Sequence, residues 1–134
     1  MSIVEALKYT GKLLGTAASK AAVEVGEVQA QLAQARTDLK SKRDNLSAAV
    51  AEQAKLLSRK EGARNEKSGA FFGQQLALVE KAIEKLKPDV ERLTARVAAL
   101  SKKDDALQAK WAKLAHDADG MNDEAARLVE GGLV

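Results

Sequence analysis

Apolar side chains recur every seven residues along both halves of the chain. In the second half, position a of this repeat falls at Leu76, Ile83, Val90, Val97, Asp104, Trp111, Ala118 and Ala125. Position d falls at Val79, Leu86, Leu93, Leu100, Leu107, Leu114, Met121 and Leu128, and Asp104 alone of the sixteen is polar. The first half keeps the same period more loosely. Its a positions are Val4, Gly11, Ala18, Val25, Leu32, Leu39, Leu46 and Gln53, and its d positions run from Leu7 through Val28 and Lys42 to Leu56. A sustained seven-residue apolar repeat predicts helices that bury one stripe against a partner helix.

The two periodic stretches flank one region rich in chain breakers. Residues 61–73 hold Gly62, Gly69 and Gly73 with Asn65 and Ser68, a composition that predicts a turn. Equal arms around a central break predict an all-α fold: an elongated antiparallel coiled-coil hairpin. Its first arm covers about 2–60, its turn about 61–73 and its second arm about 74–118. Asp119-Gly120 predicts a stop, followed by a short cap helix over 121–130. Gly11, Gly15 and Gly26 each lower helix propensity by about 1 kcal/mol against Ala, so a bend or break is expected in the first turns. The heptad register crosses Pro88 unbroken, so a continuous second arm, kinked there, is the first expectation and two abutting helices the second.

In an antiparallel pair, a positions face d positions. Pairing residues whose numbers add to 132 centres the turn on Glu66 and gives the layers Leu46–Leu86, Leu39–Leu93, Leu32–Leu100, Val25–Leu107 and Ala18–Leu114. The same register sets Gly11 on Met121 and Ala21 on Trp111, large against small, as a space-filling seam requires. Leu32, Leu39, Leu46, Leu86, Leu93, Leu100, Leu107, Trp111 and Leu114 are therefore the expected assembly seam. Asp38 with Arg96 and Glu24 with Lys110 are the expected attractive flanking pairs, and Arg43 with Lys87 a repulsive one. Leu13, Val23, Val50, Leu57, Leu78 and Val129 are apolar but lie off the seam, and predict burial on a second copy in a helical bundle or larger oligomer.

Composition agrees with the pattern. Ala, Leu, Lys, Glu and Arg make up 76 of 134 residues, above the roughly one-half that marks long helices and coiled coils. Aromatic residues are 3% and Cys is absent, which excludes a β-sandwich, a disulfide framework and a Cys-based zinc site. At roughly 1.5 Å per residue the expected hairpin is about 80 Å long. Lys8, Lys12 and Lys20 interrupt any signal-like apolar stretch, and a cytoplasmic location is expected.

Candidate chemistry is sparse. His116 stands beside Asp117 and Asp119, a pattern of a solvated helix end. The acidic run 117–124 fails the calcium-loop spacing, because Gly120 and a Glu do not fall at its sixth and twelfth positions. No catalytic residue, metal site or cofactor is expected, and the chain reads as non-enzymatic. Asp104 at a core position is either a register-setting polar contact or a local opening of the coil to water.

Three surfaces remain as interaction candidates. Phe71 and Phe72, the only phenylalanines, lie at the hairpin tip and suit contact with a partner's pocket or a membrane. Arg36, Lys40, Arg43, Arg59 and Lys60 form a basic region in a segment, 36–64, of net charge +4, while residues 115–134 net −4. The amphipathic stretch from Ser2 to Val25 is a candidate membrane-surface helix. The expected function is a structural or protein-interaction coiled coil that self-assembles and binds partners at its tip and ends. Membrane-surface association is the first rival and nucleic-acid association, a weaker one, the second.

Overall fold

The computed structural model describes residues 2–132 and is all-helical. Helix α1 runs from Ile3 to Glu61 and helix α2 from Glu66 to Glu130. The two helices contact one another as a helical hairpin. No strand occurs among the described residues.

Both helix starts are set by side-chain caps. The Ser2 hydroxyl accepts the Glu5 backbone N–H at 3.1 Å, and the Glu5 carboxylate accepts the Ser2 N–H at 3.3 Å. These reciprocal bonds satisfy donors that a helix start leaves free. At the second start, Asn65 Oδ1 accepts the Ser68 N–H at 2.8 Å, and the Asn65 carbonyl accepts the Gly69 N–H at 3.1 Å. Asn is a favoured cap because its short amide reaches the third N–H of the helix. The turn is therefore much shorter than residues 61–73: α2 begins immediately after Asn65, and Gly69 and Gly73 lie inside it. A Cβ at Gly69 would sit 3.9 Å from Ala63 Cβ, in van der Waals contact with the turn that joins the two helices.

Other glycine expectations also fail. α1 is unbroken through Gly11, Gly15 and Gly26, and α2 is unbroken through Gly120, so no separate cap helix exists at 121–130. The physical reason is packing. Ala118 and Ala125 on either side of Gly120 are buried, as are Ala18, Ala21 and Val25 along α1. Burial of these flanking positions outweighs a propensity loss of about 1 kcal/mol per glycine. α2 also passes through Pro88 without interruption.

The chain divides into two compact units. One comprises the chain up to Leu32 together with the chain from Ala99, and the other is Ala33–Ala98. In the first, the buried apolar residues are Val4, Ala18, Ala21, Val25, Val28, Leu32, Ala118 and Ala125. In the second they are Ala35, Leu39, Leu56, Leu76, Ile83 and Leu93. These fourteen, counted among the described residues, all occupy a or d positions of the heptad repeats. The first core is built mainly from Ala and Val, the second mainly from Leu and Ile.

Contacts inside each unit fix the register. In the first unit, a Cβ on Gly11 would meet Met121 Cβ at 3.3 Å, so Gly11 packs on Met121. In the second, Ala63 lies beside Gly69, Lys60 Cε lies 3.8 Å from the place of a Gly73 Cβ, and Lys42 Nζ stands 3.6 Å from Asp89 Oδ2. Each contact falls on, or one residue from, the pairing in which residue numbers add to 132.

Candidate interaction surfaces

Placement on the two helices decides what each candidate side chain presents. The seam residues divide into three groups. Leu32, Leu39 and Leu93 are buried, whereas Leu46, Leu86, Leu100, Leu107 and Leu114 are half-buried. Trp111 departs from expectation: it keeps 43% of its surface exposed. Paired helices lie only about 8–10 Å apart, a gap already closed where Ala21 is almost wholly buried. An indole is too long for that space, so part of the ring stays at the surface. Trp111 is thus a boundary residue, not a space-filling member of the seam.

The flanking charges also differ from expectation. Among the described residues, the one ion pair between α1 and α2 is Lys42 with Asp89, and Asp89 is shared with Arg92 at 3.7 Å. Asp38 accepts the Gln34 amide at 3.0 Å instead of meeting Arg96, and Glu24 makes no ion pair with Lys110. Lys42 was a flaw in the heptad pattern. Its side chain is partly buried and its ammonium reaches Asp89 on the neighbouring helix; a long apolar stem with a charged tip is what lets a lysine occupy a d position.

At the tip, Phe71 is 55% exposed and Phe72 is half-buried. Their ring centroids are 5.5 Å apart at 67°, an edge-to-face arrangement. Both stand in the first turns of α2, not in a loop, and with Lys67 and Ser68 they line a shallow depression. Their helical placement gives the exposed ring a fixed backbone. Leu78, one heptad beyond Phe71, is also exposed.

Arg36, Lys40, Arg43, Arg59 and Lys60 are all exposed, and among the described residues none forms an ion pair. Arg36, Lys40 and Arg43 occupy e and b positions of α1 and share one side of that helix. Arg59 and Lys60 do not share it, so the structure separates the basic region into two groups. At the amphipathic start of α1, Val4 and Gly11 are buried and Leu7 and Leu14 half-buried, so the apolar side of this segment is already used against α2.

Comparison with protein-family models, with curated proteins and with solved structures finds no match. The surfaces themselves therefore carry the functional reading. Among the described residues, no helix is long and apolar enough to cross a membrane, and no group of three or more His, Asp or Glu residues is placed to hold a metal ion.

One residue within the seam carries an unmet bond. Asp104 Oδ2 accepts the Gln108 side-chain amide at 3.0 Å, but Asp104 Oδ1 is buried without a partner. The sequence pattern identified Asp104 as the odd member of its stripe. It did not identify Asn65 or Ser2 as caps, although an Asn ahead of a helical stretch and the S-x-x-E spacing carry the signals.

Proposed function

We propose that this chain is a non-enzymatic coiled-coil hairpin that acts through helix–helix association, with copies of itself and with protein partners. The observation that carries this reading is the apolar surface left outside the seam. Burial is confined to the a and d stripe, while Leu13, Val23, Val50, Leu57, Leu78 and Val129 remain exposed. Off-seam apolar positions on a helix already paired on one side are the positions through which further helices join a bundle.

Light scattering across a concentration series tests the reading. Association requires a mass above 14.3 kDa at micromolar concentration. A monomer throughout, together with no protein partner recovered by cross-linking in cells, would overturn it.

A second reading rests on Phe71. An exposed aromatic ring on a rigid helix start, beside Lys67, suits insertion at an anionic membrane surface. Flotation with anionic vesicles, lost in Phe71→Ser and reduced by salt, supports this; no flotation at low salt overturns it.

A further inference from the structure

The exposed residues of the unit Ala33–Ala98 are divided by charge between the two helices, on one side only. In an antiparallel pair, the e and b positions of both helices lie along the same side. On that side α1 presents Arg36, Lys40 and Arg43, with Glu61 its one acid. α2 presents Glu80, Glu84 and Glu91, with Glu66 at its first turn and Lys87 its one base. All are exposed, and none forms an ion pair among the described residues. Val50 and Leu57, each 46% exposed, lie on the α1 half of this side. Level with Leu57, the α2 half holds the small residues Gly73 and Ala77; the flexible end of the Lys60 side chain lies within 4 Å of where a Gly73 Cβ would stand and can swing aside for an incoming side chain.

The opposite side has no such division. There α1 carries Asp38 and Glu52 together with Lys55 and Arg59, while α2 carries Lys85, Arg92 and Arg96 against Asp89 alone. A basic half and an acidic half on one surface, with apolar side chains beside small ones, make that surface complementary to itself.

We propose that this e/b side is a two-fold interface with a second copy of the chain, in which the two turns lie at the same end. The inference rests on the self-association proposed above and adds its surface and orientation. The charge pattern selects the operator. A two-fold axis parallel to the helices places α1 of each copy over α2 of the other, and residues at the same level coincide. Lys40 then meets Glu91 of the second copy, which stands level with residue 41 in the register, while Arg43 lies between that Glu91 and the second copy's Lys87, level with residue 45. Leu57 meets the second copy's Gly73 and Ala77. A two-fold axis across the helices instead lays α1 on α1, and sets the arginine and lysine stripe against itself. Juxtaposed like charges disfavour that arrangement.

The test uses the full chain and two charge-reversed variants. Lys40→Glu with Arg43→Glu makes both halves of the side acidic, and Glu84→Lys with Glu91→Lys makes both halves basic. Each variant alone is expected to self-associate at least about tenfold more weakly than the parent chain. An equimolar mixture is expected to regain the parent's association, because every α1 stripe then faces an α2 stripe of opposite sign. Circular dichroism of each variant reports the fold separately, and repulsion inside one hairpin is not relieved by mixing. As a check that needs no charge change, the chain has no cysteine, so Ser58→Cys, on the outward side of α1, accepts a spin label. A short label-to-label distance between copies is expected.

Association that is unchanged in both variants, or not restored by mixing, overturns the interface while leaving self-association intact. A long distance between labels in the dimer overturns the shared orientation. A parent chain that stays monomeric overturns both the interface and the reading beneath it.

Discussion

Single residues along the seam make separable contributions. Gly15 and Gly26 have nothing within 4 Å of where a Cβ would stand, so Ala at either adds helix propensity without a clash. Gly15→Ala and Gly26→Ala are each expected to raise stability by about 1 kcal/mol in urea unfolding. Gly11→Ala is expected to gain clearly less. Its Cβ would meet Asn122 Oδ1 at 2.5 Å and Met121 Cβ at 3.3 Å, and although the Asn122 amide can swing aside, the Met121 backbone must give way. Equal gains at all three sites would show that the Gly11–Met121 approach is not tight. Asp104 predicts an effect of the same sign by another route. A buried acceptor without a hydrogen bond costs about 1–3 kcal/mol, and Oδ1 is in that state. Asp104→Leu is expected to raise the urea midpoint, with a gain in unfolding free energy of about 1 kcal/mol or more, since leucine also restores the apolar stripe. A lower midpoint would show that the carboxylate makes a favourable contact that leucine loses.

At the scale of the helix, the chain's legibility divides along physical lines. The seam was readable because burial selects for side-chain polarity, and all fourteen buried apolar residues lie on the heptad stripes. The register was readable because only one offset places Gly11 on Met121 and the turn on the glycine-rich region. Helix ends were less so. Counting Gly69, Gly73 and Gly120 as breakers overstates glycine, whose cost is small beside the contacts of buried neighbours, and the real boundary is the hydrogen bond from Ser68 to Asn65. Trp111 was misplaced because heptad position specifies direction but not the width of the gap. Of the candidate surface, the charges were countable in sequence. Their segregation by side emerges only when a and d are known to be buried and the e and b positions of two helices are set beside each other. Pro88 tests how far packing overrides local preference. Its ring removes the N–H that would bond the Glu84 carbonyl and crowds that oxygen, at a cost of about 3 kcal/mol in a helix interior. The residue is exposed, so no contact offsets the loss. Pro88→Ala is expected to stabilise the chain, by up to that amount, and to slow amide exchange at residues 85–91. Faster exchange there would mean that proline holds a geometry the packing requires.

For the molecule as a whole, the balance of burial against ordering governs how it holds together. Two helices order 59 and 65 residues, each at a backbone entropy cost of about 1–2 kcal/mol. Against this stand the helical hydrogen bonds and one apolar stripe, in which five of the fourteen buried residues are alanines that remove little surface from water. Association that buries the off-seam side chains shifts the equilibrium further toward the folded chain, because a partner that binds only the folded form stabilises it by mass action. The thermal midpoint is therefore expected to rise steadily over a hundredfold increase in protein concentration. Val50→Ser with Leu57→Ser is expected to flatten that rise while leaving the helical signal at low temperature unchanged, since both side chains lie outside the seam. The parent's concentration dependence reads association, and the variant's loss of it locates the association on the α1 half of the e/b side. A midpoint independent of concentration in the parent chain would mean that the seam alone sustains the fold. A dependence retained in the variant would move the contact to the apolar residues elsewhere, of which Leu13, Val23 and Leu78 are the most exposed of the off-seam set.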